Sequence, residues 1–150
     1  MNILFVADVS ISSVIGGAER VLFEQSSRLA QRGYDVHILT RKLSVHRQNQ
    51  DVIQGVQEWR YDANRDWDAI SFFIKTWQNS KQLFEFLQSK FRFDCINFHQ
   101  PFSAIGVVRS PLSKSIKTVY TCHSLSFEEY ISRNAKPAKF IGDFPGSYGD

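Results

Sequence analysis

An apolar run followed by a glycine junction and an amphipathic segment limits the possible folds of this chain most strongly. Residues 2–7 are nearly all apolar, which is typical of a parallel strand covered on both faces. Gly16 and Gly17 follow, and the spacing of apolar residues then predicts a helix over 18–32. Glycine lets a ligand approach the backbone, and a helix start supplies unpaired N–H groups. The junction therefore predicts an anion site, unless the two glycines only form the turn.

Strand and helix patterns alternate along the rest of the chain. Further strands are predicted at 35–40, 56–61, 93–98 and 116–122, helices at 67–91 and 102–109, and a polar surface loop at 41–54. This alternation predicts a Rossmann-like, doubly wound parallel sheet in a three-layer α/β/α domain. In the usual strand order the fourth predicted strand lies beside the first. A crevice then forms at the carboxyl ends of these two strands, where the winding reverses.

The long predicted helix has an aromatic stripe. Its apolar residues track one face: Trp67, Ile70, Ile74, Trp77, Phe84, Leu87 and Phe91. We expect this face to be part of the core. The alternative is a face that contacts a membrane or a partner, since Lys75, Lys81, Lys90 and Arg92 accompany the stripe.

Composition favours one soluble domain. The 150 residues suffice for a single core, and a net charge of +3 from scattered basic residues is too weak to indicate nucleic-acid binding. No secretory leader or membrane-spanning stretch is recognisable, so the chain is expected to be cytoplasmic. Cys95 and Cys122 fall in predicted strands and are expected to be buried free thiols. Residues 136–150 have turn formers and no periodicity, which predicts a loop-like, partly disordered tail.

Two histidines follow predicted strands at the crevice. His99 comes directly after the fourth predicted strand, and His123 directly after the fifth. Parallel strands place their carboxyl ends on one edge, so both imidazoles are expected on the same edge as the glycine junction. A neutral imidazole can donate to or accept from hydroxyl and phosphate oxygens. His37, within a strand, and His46, in the polar loop, are interpreted as structural or incidental.

Missing motifs narrow the chemistry. The chain has no phosphate-binding G-x-x-x-x-G-K-[ST] loop, no G-x-G-x-x-G dinucleotide fingerprint and no G-x-S-x-G nucleophile elbow. The second strand ends at Thr40-Arg41 without an acidic residue for a ribose. An oxidoreductase is therefore poorly supported, although Arg41 leaves an NADP-dependent variant open.

Several segments together resemble one family. They are Gly-Gly-Ala-Glu-Arg-Val at 16–21, Arg-Gly-Tyr-Asp-Val at 32–36, Leu-Thr-Arg at 39–41, Phe-Asp-Cys-Ile-Asn-Phe-His at 93–99 and Val-Tyr-Thr-Cys-His-Ser at 119–124. This pattern resembles the N-terminal domain of GT-B glycosyltransferases of family four. The resemblance covers the sheet-forming parts of residues 1–130, while residues 42–92 match only in kind.

The resemblance implies a retaining transfer of sugar from a nucleotide-sugar donor to an acceptor hydroxyl, without a metal ion or other cofactor. It would place Gly16 and Gly17 near the donor phosphates and His99 on the acceptor side. His123 would lie beside the transferred sugar and is the catalytic candidate. The full set of substrate-binding candidates is Gly16, Gly17, Arg20, His99 and Ser124, with a solvated side chain as the alternative for Arg20.

The family's second domain, which binds most of the nucleotide, is not among these 150 residues. Residues 1–135 are therefore expected to form the acceptor-side domain, and the polypeptide by itself is expected to have little or no transferase activity. The expected partners are the nucleotide-sugar donor, a sugar or lipid-linked acceptor and the second domain, without nucleic acid. Peripheral membrane contact is a subsidiary hypothesis, and its alternative is a simply solvated helix face. A non-catalytic module that binds a glycan or nucleotide is the alternative function.

Overall fold

The computed structural model describes residues 1–14, 16–63 and 68–123, and this part of the chain contains six strands and three α-helices. The strands are β1 (Asn2–Val6), β2 (Asp35–Arg41), β3 (Gln50–Ile53), β4 (Val56–Tyr61), β5 (Cys95–Phe98) and β6 (Lys117–Tyr120). The helices are α1 (Gly17–Gln31), α2 (Ala69–Phe91) and α3 (Pro101–Val108), followed by a 3₁₀ turn at Pro111–Ser113.

All six strands form one sheet in the order β3-β4-β2-β1-β5-β6. β1 pairs in parallel with both β2 and β5, and β6 continues the parallel pairing beside β5. The chain therefore winds outward in one direction through β2 and β4, and in the other through β5 and β6. The predicted doubly wound sheet is confirmed, and the winding reverses between β1 and β5.

Helices cover both faces of the sheet. Leu4 on one face of β1 belongs to a buried cluster with Phe84 of α2 and Val107 of α3. Phe5, the next residue along the strand, points to the opposite face and belongs to a cluster with Leu22 of α1. These two clusters are the two cores of a three-layer α/β/α fold, as predicted.

The prediction that residues 41–54 form only a loop is wrong. Gln50–Ile53 pairs with β4 as an antiparallel edge strand, β3. A two-residue turn, Gln54-Gly55, connects the two strands with φ angles of 52° and 79°. Most residues of β3 are exposed, so the strand has no buried face to produce an apolar alternation that sequence analysis could detect.

The start of α2 is set by a capping residue. Asp68 Oδ1 accepts hydrogen bonds from the backbone N–H groups of Ile70 at 3.1 Å and Ser71 at 3.0 Å. The helix accordingly begins at Ala69, and Trp67, the predicted start, lies outside the described residues.

The predicted stripe on α2 is buried only in the C-terminal half of the helix. Ile70 and Ile74 are 73% and 41% exposed, so their assignment to the core is wrong. The buried face of α2 consists of Thr76, Ser80, Phe84 and Leu87. The first two residues of this face, Thr76 and Ser80, are small. Gly106 of α3 lies against α2 at Ser80 and leaves no room for a larger side chain there.

The prediction that both cysteines are buried is wrong. Cys95 lies in β5 and is half-buried, and burial raises the pKa of its thiol. Cys122 is exposed because it follows β6, an edge strand whose four residues are themselves exposed. No helix among the described residues is long and apolar enough to cross a bilayer. The predicted tail at 136–150 lies outside the described residues.

Candidate functional site

The glycine junction lies at the carboxyl end of β1 and opens α1. Gly16 is the N-cap residue of the helix, with an extended backbone (φ −125°, ψ −175°), and Gly17 is the first helical residue. Neither glycine has the positive φ that would demand glycine. A Cβ added to Gly17 would meet no atom within 4 Å among the described residues. The turn itself therefore does not require glycine at position 17, and the space beside its backbone is open.

Two charged residues follow the glycines in the first turn of α1. Glu19 places its carboxylate beside the helix start, so that a Cβ added to Gly16 would lie 2.8 Å from Glu19 Oε2. A carboxylate at this position interacts favourably with the helix dipole. An anionic ligand binding to the same N–H groups would have to displace it. Arg20, a predicted substrate-binding residue, is exposed at the same end of the helix.

The two predicted histidines contact each other. His99 Nδ1 and His123 Nε2 are 2.8 Å apart, and the ring centroids are 4.9 Å apart. His99 follows β5 and is held by a hydrogen bond from its backbone N–H to the Val6 carbonyl. It is only 2% exposed and packs against Phe5, whereas His123 is half-buried. Of the two imidazoles, His123 is therefore the one that is accessible to solvent and to a ligand.

The protonation state of His99 follows from its surroundings. Burial, with a smaller contribution from the charge of nearby His123, lowers the pKa of His99 to about 4, so its ring is neutral at neutral pH. Its Nε2 has no hydrogen-bond partner among the described residues. His99 Nδ1 contacts Nε2 of His123. The other ring nitrogen of His123, its Nδ1, takes no part in this contact. His99 thus orients His123, and its predicted contact with the acceptor stays a prediction.

Folding stability is expected to fall by about 3 kcal/mol between pH 6.5 and pH 4 through His99 alone. The unfolded chain takes up a proton at this ring near pH 6.5, whereas the folded chain does so only near pH 4. Unfolding therefore binds a proton in this window, and stability rises with pH. Urea titrations across the window should show a shallower pH dependence for His99→Asn than for the wild type. Parallel curves for the two proteins would contradict the assignment.

Asp8, at the end of β1, was not recognised from the sequence. Its carboxylate accepts hydrogen bonds from the N–H groups of Phe102 and Ser103 at 3.1 and 2.8 Å, which caps α3 from another part of the chain. The Asp8 N–H donates to Gln100 Oε1 at 2.7 Å. Ser103 also bonds to the buried hydroxyl of Tyr61, whose pKa burial raises. These bonds hold the segment after β5, and with it His99, against the segment after β1.

A buried ion pair holds the other side of the loop after β1. Glu58 is fully buried in β4, and its Oε1 accepts from Arg60 Nε at 2.7 Å. The same carboxylate accepts from Ser10 Oγ at 2.6 Å and from the Ile11 N–H at 2.8 Å. Glu58 and Arg60, two residues apart on one strand face, were a signal that sequence analysis passed over. The loop toward the glycines is thus fixed at Asp8 and, through Glu58, at Ser10 and Ile11.

The structure places most predicted site residues on one edge of the sheet. The glycine junction follows β1, His99 follows β5 and His123 follows β6, and these strands run in parallel. Ser124 lies outside the described residues. No group of three or more metal-ligating side chains occurs within residues 1–14, 16–63 and 68–123. This edge of the sheet contains the backbone N–H groups at the start of α1 and the imidazole nitrogens of His99 and His123. Such groups are suited to binding phosphate and hydroxyl oxygens.

Comparison with protein families identifies one match. The sequence profile of Glycosyltransferase Family 4 matches residues 15–143, a range that contains the glycine junction and both histidines. Comparison with curated protein sequences found no significant match.

Solved structures with a similar fold include sucrose-phosphate synthase from Thermosynechococcus elongatus. One structure of that enzyme has a TM-score of 0.70 and 16% identity, and the alignment covers 86% of this chain and 34% of the enzyme. Another has a TM-score of 0.59 and 14% identity, with 88% and 68% covered. At such identities the similarity establishes the fold alone. This chain spans about a third of the length of the first structure.

Proposed function

Because this chain belongs to Glycosyltransferase Family 4, we propose that it is the acceptor-side domain of a retaining hexosyltransferase. The enzyme would transfer a sugar from a nucleotide-sugar donor to an acceptor hydroxyl during synthesis of a glycan, polysaccharide or glycolipid. One observation supports the proposal: Gly16, Gly17 and His123, which belong to the segments that resemble the family, follow the carboxyl ends of parallel strands of one sheet.

The proposed roles follow from the geometry of that edge. The backbone N–H groups at the start of α1 would bind the donor diphosphate, with Arg20 nearby, and would stabilise its charge as it leaves. His123, oriented by His99, would hydrogen-bond to the transferred sugar. In line with the family resemblance, we propose that no metal ion takes part, because backbone N–H groups and the second domain would neutralise the diphosphate.

We further propose that transfer requires a second, nucleotide-binding domain, and that residues 1–135 are the acceptor-side domain. Half of a cleft can neither hold donor and acceptor in register nor surround the leaving diphosphate. The expected location is the cytoplasm, with peripheral contact at the inner membrane face. Ile70, Phe73 and Ile74 on the first turns of α2 support that contact because they are exposed beside Lys75. Absence of co-sedimentation with anionic vesicles at low salt would refute it.

Substitution of Gly17 by alanine is expected to lower kcat/KM for the donor by about 100-fold in the two-domain enzyme. The added methyl group would occupy the open space where we place the donor diphosphate, and small displacements of reacting groups have effects of this size. Stability should be unchanged or slightly higher, since alanine is the better helix former by up to about 1 kcal/mol. Sugar transfer from a panel of nucleotide sugars provides the measurement.

The matched control is Gln31→Ala, an exposed change in the last turn of the same helix, which should leave transfer unchanged. Unaltered donor kinetics in Gly17→Ala would refute the role of the junction. The same assay compares the 150-residue chain with the two-domain enzyme. Robust turnover by the shorter chain would refute the requirement for a second domain.

A further inference from the structure

A cleft opens at the same edge of the sheet, on the far side of the loop after β1 from the histidine pair. It has a volume of about 530 Å³, and its polar lining residues are Ser12, Ser13, His46, Arg47, Gln48, Asp51 and Arg60. This volume lies in the range of small-ligand sites. A neighbouring cleft of about 550 Å³ shares Gln48 and Asp51 and continues along β3. The two clefts therefore adjoin each other at Gln48 and Asp51.

Arg60 lines this cleft and has a buried guanidinium nitrogen without a hydrogen-bond partner among the described residues. Its side chain is 3% exposed, and two of its nitrogens are occupied: Nε by Glu58 and Nη1 by the Gln48 carbonyl at 3.2 Å. Nη2 is buried and has no hydrogen-bond partner among the described residues, although Asp51 Oδ2 lies 3.5 Å away. A buried guanidinium N–H without a partner is costly, so a ligand oxygen that inserts between Nη2 and the half-exposed Asp51 carboxylate would be favoured.

The charges around the cleft indicate an uncharged ligand. The carboxylates of Asp51 and Glu58 balance the guanidinium groups of Arg47 and Arg60. Burial lowers the pKa of His46, whose Nε2 lies 2.8 Å from Ser12 Oγ. An anionic group at Arg60 Nη2 would be repelled by the Asp51 carboxylate. A hydroxyl group suits both, because it can accept from the guanidinium and donate to the carboxylate.

We propose that this cleft binds an uncharged, hydroxyl-rich sugar unit of the acceptor, remote from the unit that receives the transferred sugar. The inference rests on the proposed function and specifies its substrate class. Arg60 lies in β4 and His99 follows β5, and the order β4-β2-β1-β5 separates them by three strand spacings, or roughly 14 Å. A single hexose ring cannot bridge this distance, so the acceptor is an oligosaccharide or longer glycan.

NMR titration of the protein tests this assignment with maltotriose, cellotriose, mannotriose and chitotriose as probes. At least one trisaccharide is expected to shift the backbone amide signals of Ser12, Ser13 and Arg47, and to bind about ten-fold more tightly than its monosaccharide. Asp51→Asn should weaken that binding at least about ten-fold, because an amide nitrogen or a weaker acceptor replaces the carboxylate beside Arg60. Asp51 is half-exposed, so the variant should fold normally.

Asp62→Asn is the matched control, since this exposed aspartate follows β4, the strand that contains Arg60, and is not among the residues that line the cleft. Its affinity for the trisaccharide should equal that of the wild type. The proposal is overturned if no trisaccharide shifts the cleft amides at about 50 mM, well above a millimolar Kd. Equal weakening by both variants, or stronger binding of glucose 6-phosphate in the cleft, also overturns it.

The two proposals fail in different ways. Sugar transfer by the two-domain enzyme with an unoccupied cleft would refute the remote subsite and leave the proposed function standing. Trisaccharide binding in the cleft without sugar transfer by the two-domain enzyme would refute the proposed function, and the cleft would then be a glycan-binding site without an acceptor role.

Discussion

Glu58→Gln is expected to lower the free energy of unfolding by about 3 to 5 kcal/mol, the usual cost of breaking a buried ion pair from one side. The substitution keeps the shape of the side chain and removes its charge. Arg60, 3% exposed, then keeps a buried guanidinium whose remaining carboxylate neighbour is Asp51 at 3.5 Å. The amide also cannot accept equally well from Ser10, Ile11 and Arg60. Urea unfolding monitored by tryptophan fluorescence gives the loss.

Two further variants separate the buried charge from other causes. Asp51→Asn removes the half-exposed partner of Arg60 and should cost less than about 1 kcal/mol. Adding Arg60→Met to Glu58→Gln removes the unpaired charge and should recover at least half of the loss. A loss below about 1 kcal/mol in Glu58→Gln, or no recovery in the double variant, would show that the pair is not a stability determinant.

Gly106→Ala is expected to destabilise the protein by about 3 kcal/mol, at the upper end of the usual range for overpacked cores. Gly106 lies where α3 crosses α2. A Cβ at this position would be 2.5 Å from the Trp77 carbonyl oxygen and 2.9 Å from the Lys81 nitrogen. Both are backbone atoms of a helix, so neither can move aside without shifting α2. Urea unfolding under the same conditions measures the effect.

The matched control for Gly106→Ala is Gly17→Ala, the same chemical change at a position where the added methyl group meets nothing within 4 Å among the described residues. Its unfolding free energy should be unchanged or higher. Equal stabilities of the two variants would mean that the contact between α2 and α3 is looser than these distances indicate. A Cβ at Gly106 would also meet Ser80 Oγ. Adding Ser80→Ala to Gly106→Ala removes that contact and should recover only part of the loss, because the contacts with the backbone atoms of α2 remain.

These two substitutions affect different parts of the site. Glu58 fixes Ser10 and Ile11, and therefore the course of the loop toward the glycine junction. Gly106 lets α3 lie close to α2, and the N-terminus of α3 is capped by Asp8 beside His99. Both therefore support the edge from opposite sides, which is the kind of rigid support that a binding site needs.

Hydrophobic periodicity predicted most of the fold from the sequence. The strands β1, β2, β4, β5 and β6 are confirmed with shifts of a few residues at their ends. Position 93–98, for example, was predicted as a strand beside β1, and β5 lies there as Cys95–Phe98. Such positions are predictable because the side chains that pack against the helices must be apolar, as Ile96 and Phe98 are in β5. The edge strand β3 has no such constraint, and the sequence contained no apolar signal for it.

The sequence by itself determined that the glycine junction, His99 and His123 share one edge, since parallel strands with helical crossovers place their carboxyl ends together. Only the tertiary structure decided that His99 is buried behind His123, that Ile70 is exposed, and that Glu58 and Arg60 are buried as a pair. The physical reason is that connectivity along the chain dictates which ends of strands coincide. Burial and pairing depend instead on the side chains that distant segments bring across the sheet, and no local pattern specifies those neighbours.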